Sequence, residues 1–448
     1  MAGRTAGEAV VASLRNRRRG EQDAQQARVE FHTRTANSWA DHLGRSRGVL
    51  MKAGQILSVV LPEAGVDTSF RTIYQAAFAR LQDNAPRMSA AVVAETLMAE
   101  LGRPPDELFA EFDPDPIAAA SIGQVHAATL TGGKRVAVKV QYPGVEQAIR
   151  ADLANTELLA TFLRLLVSVA PNLAQSDVRA WATEISARIS EEIDYRIEAD
   201  NQRQFAQDYR GHPFIRVPEV IDELSTRRVL TMDYVEGLRY AKAIRAEQRL
   251  RDRWAEAIYR FVGDSLYRLG VGNTDLHPGN FLFHGDGTVS FLDFGNVKRL
   301  DRAHMDIVVG FLDHTAAQDA EGIYQWARRH NWITDRSQIT PAELLGWWTE
   351  GYPYLLPDQQ SVTITGLYAA SVLHNRTAPG GPYSRVPRRL NFPADYLLAG
   401  RMDVAMLATL GGLTSTANWD AIRHELHHHA PPTTDFGRQD AEFRQSRK

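Results

Sequence analysis

The stretch "GNTDLHPGNFLFHGDGTVSFLDFGNV", residues 272–297, decides how the rest of the chain is read. Two short apolar runs around Gly285-Asp286-Gly287 spell a β-hairpin. Asp275 stands ahead of it, five residues before Asn280, and Asp293 closes its second strand with Phe294 and Gly295 behind. A capped turn and a strand-ending turn would account for either piece alone. A carboxylate at the end of such a strand can hold Mg2+.

The Asp275–Asn280 separation is that of the kinase catalytic loop, H-R-D-L-x-x-x-N, and Asp293-Phe294-Gly295 reproduces D-F-G. Working upstream, "VAVK", Val136–Lys139, places a lysine in an apolar strand, where it points outward or meets an anion. One strand earlier runs "DPIAAASIGQVHAATL", Asp115–Leu130, with Ala118, Ala120, Gly123 and Val125 in register with G-x-G-x-x-G-x-V. Four elements in kinase order and spacing predict an α+β, bilobal protein-kinase-like fold with helical extensions at both ends.

The chain has 448 residues, of which 44% are hydrophobic and 23% charged, with a net charge of −3. That balance gives no sign of nucleic-acid binding. The absence of cysteine excludes disulfides, thiolate metal sites and thiol catalysis. No signal peptide is read at the N-terminus. The longest apolar run, Leu158–Ala170, is too short for a transmembrane helix and contains Arg164. A cytoplasmic protein is expected, with peripheral membrane contact left open by the basic arm of Arg4, Arg15, Arg17, Arg18 and Arg19. The run His427-His428-His429 is not read as a metal site, because adjacent helical residues face different directions.

Texture divides the chain into a flexible arm (1–40), a helical extension (41–110), an N-lobe with a helical insertion (111–237), a helical C-lobe and extension (238–430) and a polar, disordered tail (431–448). "FIRVPEVIDE" and "RRVLTMDYV" read as further strands, and Trp254 to Leu269 as an amphipathic helix. "LTMDYVEG", Leu230–Gly237, is the expected inter-lobe linker, so that Met232 to Val235 would meet adenine through backbone groups.

Lys139 needs a carboxylate to orient it, and "SEEIDYRIEADNQRQF" supplies candidates. Asp194 and Glu198 stand at i,i+4, where like charges repel unless each has its own cation. Three further marks make the chain resemble the UbiB/AarF-domain family of atypical kinases: "KAGQ" (Lys52 to Gln55), "AAASIGQVH" (Ala118 to His126) and "EEIDYRIEA" (Glu191 to Ala199). The resemblance implies Glu198 as the partner of Lys139. It also implies an E-x-D pair of Glu192 and Asp194, with Lys52 reaching Glu192 and Gln55 on the same helical face. It implies ATP or ADP with Mg2+ as cofactors, and a small-molecule, lipid or quinone-precursor substrate rather than a protein. Lys139, Glu198, Asp275, Asn280 and Asp293 would then be catalytic, the last two as metal ligands. Ala118, Ala119, Ala120, Ser121, Gly123, Val125, Ala137, Met232 and Val235 would line the nucleotide. Alanines in place of glycines should hold this loop in an altered geometry, since a Cβ disfavours positive φ and close backbone approach. Two other classes stay open: a soluble phosphotransferase of the aminoglycoside or choline kinase type, and a nucleotide-binding scaffold with negligible turnover.

Overall fold

The computed structural model describes residues 33, 87–120, 122–154, 186–187, 189–335, 337–355, 361–377, 381–391, 393 and 396–447. The chain divides into two compact units. The first comprises Met1–Arg87, Tyr142–Ile193 and His374–Arg389, and its described part includes a helix over Val145–Ala154 and a short one over Val386–Arg389. The second, Met88–Gln141, Asp194–Leu373 and Leu390–Lys448, contains nearly all of the kinase-like motifs.

The second unit opens with α1 (Ala90–Leu101), capped by the Ser89 side chain and ended by Gly102 at φ 73°. Next come β1 (Glu111–Phe112), β2 (Ala118–Ala120), β3 (Gly123–Thr129) and β4 (Arg135–Gln141). Helix α2 (Tyr195–Asp208) and the short strand β5 (Ile215–Arg216) precede β6 (Val229–Asp233). The order β1-β3-β4-β6, with β2 also on β3, makes a five-stranded antiparallel sheet. Along β4 the side chains alternate faces. Val136, Val138 and Val140 are fully buried on one face, leaving Ala137, Lys139 and Gln141 on the other.

The helical part begins with α3 (Gln248–Tyr267), followed by β7 (Val271–Asn273), β8 (Phe281–Phe283), β9 (Val289–Phe291) and β10 (Val297–Arg299). Strands β8 and β9 are the hairpin predicted at Gly285–Gly287, while β5 joins β9 in parallel and β10 pairs with β7. Then come α4 (Arg302–Ala316), α5 (Ala320–Arg329), α6 (Pro341–Gly351), α7 (Leu397–Leu413), α8 (Trp419–His428) and α9 (Asp435–Gln445). Helix resumes at Asp301, whose carboxylate caps the His304 N–H at 2.9 Å. This is the α+β, protein-kinase-like architecture read from the motifs.

Three expectations are corrected. "FIRVPEVIDE" is strand over Ile215–Arg216 and then only a single antiparallel bridge from Val220 to Met232 of β6, because Pro218 between them has no N–H to give to a ladder and its carbonyl takes the Gln202 amide at 2.8 Å. Helix α3 is not half-exposed: from Trp254 to Leu266 every residue but Glu256 is buried, Arg260 and Asp264 included. The tail from 431 is not disordered throughout, since α9 packs on α3 and the end of α2. Its Phe436 is 3% exposed and stacks on Phe214 at 4.0 Å. Composition hid this because two aromatics in a polar segment are enough to anchor a short helix on a waiting apolar surface. Among the described residues no helix is long and apolar enough to cross a membrane.

Two buried histidines are held neutral by what surrounds them. His212 Nε2 lies 2.9 Å from Asp440, while its Nδ1 accepts the Ile215 N–H at 3.2 Å. His126 Nδ1 lies 3.0 Å from the Asp113 carbonyl, with its Nε2 facing the Gln124 amide at 3.3 Å. Burial lowers both below the ordinary value of 6.5, against the upward pull of those same acceptors. Below pH 6.5 the unfolded chain therefore binds protons that the folded chain refuses, and stability falls as the pH drops through that value. Melting temperature followed by circular dichroism should be highest above pH 6.5 and decline toward pH 5. A profile flat across that range would show that neither ring is held neutral.

Candidate active site

Three elements bring the charged groups together. Strand β4 delivers Lys139 on the face opposite its valines, and the first turn of α2 delivers Glu198. The Lys139 Nζ donates to both Glu198 oxygens, at 2.7 and 2.8 Å, and stands 3.6 Å from Asp293 Oδ2. It also lies 5.0 Å from the centre of the Tyr195 ring. Burial disfavours the ammonium, but the carboxylates of Asp293 and Glu198 outweigh it and hold the pKa above the ordinary lysine value.

The i,i+4 carboxylates on α2 each have a cation. Asp194 is the N-cap, accepting the Arg196 N–H at 3.1 Å and its guanidinium at 3.0 and 2.7 Å. The Arg196 hydrogen bond keeps the Asp194 carboxyl below the usual aspartate range. Glu192 lies in the first unit and is half-buried. Lys52, Gln55 and Ser121 lie outside the described residues.

Helix α2 meets the D-F-G segment along one face, at Glu198, Asn201 and Phe205. Asn201 donates to the Phe294 carbonyl at 3.1 Å, and the Phe205 ring lies 4.8 Å from that of the fully buried Phe294. Asp293 Oδ1 in turn accepts the Gly295 N–H at 3.0 Å.

The loop after β7 is tied to the same segment. Asn273 Nδ2 donates to the Asp293 carbonyl at 2.6 Å, while its Oδ1 accepts the Asp275 N–H at 3.0 Å. Asn280 Nδ2 donates to the Asp275 carbonyl at 3.0 Å and reaches its Oδ2 at 3.3 Å, which turns the Asn280 oxygen away. An amide oxygen and the Asp293 carboxylate make an all-oxygen donor set. Mg2+ takes such a set when phosphate oxygens and waters complete its shell, so the residues fit the ion.

The alanine segment is a strand. Ala118, Ala119 and Ala120 pair with Val125, Gln124 and Gly123, and none has positive φ. The expected cost of a Cβ in the left-handed region therefore does not arise at these positions. The glycine that close approach does require is Gly123, where a Cβ would lie 2.2 Å from the Val140 carbonyl and 2.9 Å from the Tyr195 hydroxyl. Val125 pairs with Lys139, and Ala137 with Met232. Beyond β6, Tyr234 N–H donates to the Arg135 carbonyl at 3.1 Å, whereas the Val235 backbone makes no hydrogen bond among the described residues.

Three residues escaped the sequence reading: Asn273, Asn201 and Tyr195. An Asx side chain two residues before a loop N–H is a local signal that could have found Asn273. Asn201 sits one helical turn after Glu198 and was legible as a same-face neighbour. Tyr195 had no signal, since its role comes from the strands it meets.

These contacts define a protein-kinase-like protein. Residues 80–327 match the ABC1 atypical kinase-like domain, and the chain belongs to that family, the UbiB/AarF group. It is 30% identical over 350 residues to Protein ACTIVITY OF BC1 COMPLEX KINASE 1, chloroplastic, of Arabidopsis thaliana, covering 76% of this chain and 49% of that one. It is 35% identical over 256 residues to Atypical kinase COQ8B, mitochondrial, of Danio rerio, covering 56% and 39%. The chain thus spans less than half the length of these curated relatives. Among solved structures, it resembles Rv3197 of Mycobacterium tuberculosis in its complex with erythromycin, at a TM-score of 0.64 and 29% identity, covering 91% of this chain and 100% of that one.

The charge pair makes a testable asymmetry. Glu198→Gln leaves the buried ammonium with Asp293, 3.6 Å away, as its remaining carboxylate and should cost up to about 3–5 kcal/mol in denaturant unfolding, whereas Lys139→Met with Glu198→Leu should cost less than either single change. In the sheet, Gly123→Ala should cost about 1–3 kcal/mol, because a backbone carbonyl cannot retreat as a side chain can.

Proposed function

We propose that this protein is an atypical kinase or ATPase that uses Mg-ATP and acts on a small molecule or lipid, the quinone-precursor class included, rather than on proteins. The observation that carries the reading is the buried Lys139–Glu198 pair with Asp293 3.6 Å from the same ammonium. Lys139 would hold the α- and β-phosphates and Glu198 would keep its ammonium in place. Asn280 and Asp293 would hold Mg2+, which when bound neutralises charge on the phosphates. Asp275, fixed by Asn273 and Asn280, would take the proton from the hydroxyl or water whose oxygen attacks the γ-phosphorus as ADP leaves. Met232 and the Val235 backbone would meet adenine, with Val125 and Ala137 beside it and Ala118–Gly123 over the phosphates. The erythromycin bound to the mycobacterial neighbour supports a small-molecule rather than a protein substrate. The relatives named as chloroplastic and mitochondrial kinases support the kinase part of this reading, and a lipid substrate with contact at a membrane surface is its further proposal.

The test is ATP hydrolysis by the purified chain with Mg2+, alone and with anionic liposomes or a small phenol. Asp275→Asn should lower turnover by about 10²–10⁴-fold while leaving nucleotide affinity near wild type. Asp293→Asn should abolish the Mg2+ dependence of nucleotide binding. Rapid phosphorylation of a sugar or amino alcohol would instead assign the chain to the aminoglycoside-type phosphotransferases. Tight binding without hydrolysis under every condition would leave a scaffold.

A further inference from the structure

Helix α2 is held at both ends, and its far end is held by the C-terminal segment. Its last turn contains no basic residue of its own. Arg447 supplies the missing cation, donating to the Asp208 carbonyl and, at 2.9 Å, to the Gln207 carbonyl. A guanidinium there satisfies orphan carbonyls at the negative end of the helix.

A second layer surrounds the same end. Tyr209, the C-cap of α2, donates to Asp264 of α3 at 2.7 Å. Asp264 meets Arg444 of α9 at 2.7 Å, and Arg444 holds Asp440 at 2.9 and 3.0 Å. Asp440 pairs with His212 at 2.9 Å, with the Phe443 ring 4.7 Å from the same imidazole. Helix α9 is itself fixed at its N-cap, where Thr434 accepts from the buried Arg260 at 2.9 Å.

We propose that the C-terminal helix and Arg447 are positioning elements for Glu198, holding α2 in the pose that keeps this carboxylate on Lys139. A continuous helix transmits the restraint: Gln207 and Asp208 lie about 15 Å from Glu198 along the α2 axis. Between them Asn201 and Phe205 carry the contacts to the D-F-G segment, so release of the far end frees the whole face to tilt. This rests on the reading of Lys139 and Glu198 as nucleotide-handling residues. Arg447 touches no reacting atom and acts only through α2.

The experiment uses the full chain with Arg447→Ala, Arg447→Lys, Glu198→Gln and Arg447→Ala with Glu198→Gln, read by single-turnover ATP cleavage and by hydrogen exchange of the α2 amides. Arg447 is exposed, so its single variants should fold, and denaturant unfolding checks that both Glu198→Gln chains are folded before they are compared; Asp440→Asn provides a second release of the same end. Arg447→Ala should slow cleavage about fivefold and speed exchange from Glu198 to Phe205, with partial recovery in Arg447→Lys. In the Glu198→Gln background the same change should slow cleavage no further, because the group it positions is gone. An equal loss in both backgrounds, or α2 exchange unchanged by both Arg447→Ala and Asp440→Asn, would overturn the proposal. Absence of cleavage in the wild type would overturn the kinase reading alone, and the exchange data would still decide whether the tail restrains α2.

Discussion

A buried ammonium is the constraint around which the second unit is organised. Lys139 is 7% exposed and Glu198 4%, so both charges have left water at a cost on the order of several kcal/mol each. Only close pairing offsets that cost, and the pairing demands that a strand and a helix from distant parts of the chain stay in register. The valines of β4 hold the strand, and Asn201 and Phe205 hold the helix against the D-F-G turn. Such a pair is a poor source of stability and a good reason for a site to exist.

The same constraint explains why so many polar side chains around it are spent on backbone groups. Asn273, Asn280 and Asn201 each bond a carbonyl of the loops that carry Asp275 or Asp293. Loops have many conformations, and amide side chains reduce them without adding charge. Asp293 can then stand beside the Lys139–Glu198 pair with its direction set in advance, which is what electrostatic stabilisation of a transferring phosphoryl group requires.

What was legible in the sequence was what local patterning and motif spacing carry. The hairpin at 281–291 followed from residue type at fixed offsets, and the Lys139–Glu198 partnership from the resemblance to the UbiB/AarF family. What was not legible came from tertiary burial. Helix α3 looked amphipathic because Arg260 and Asp264 are charged, yet both are inside, paired with Glu425 and with Arg444. The tail looked disordered because its hydrophobic content is low, yet its few aromatics meet Phe214 and His212. Alanine strand β2 was judged as a glycine loop would be, and only its pairing with β3 showed that positive φ is not needed there.

The return of the chain's end to α2 also bears on how the protein is made. The His212–Asp440 contact joins residues 228 apart in sequence, and β5 finds its partner β9 more than seventy positions downstream. Contacts of such separation must bear the entropy of closing long loops before they give anything back, and they slow folding. During synthesis the far end of α2 and the rings of Phe214 and His212 wait for α9, which emerges long after them. The nascent chain therefore carries an apolar surface until α9 is released, an interval in which it depends on shielding from other chains.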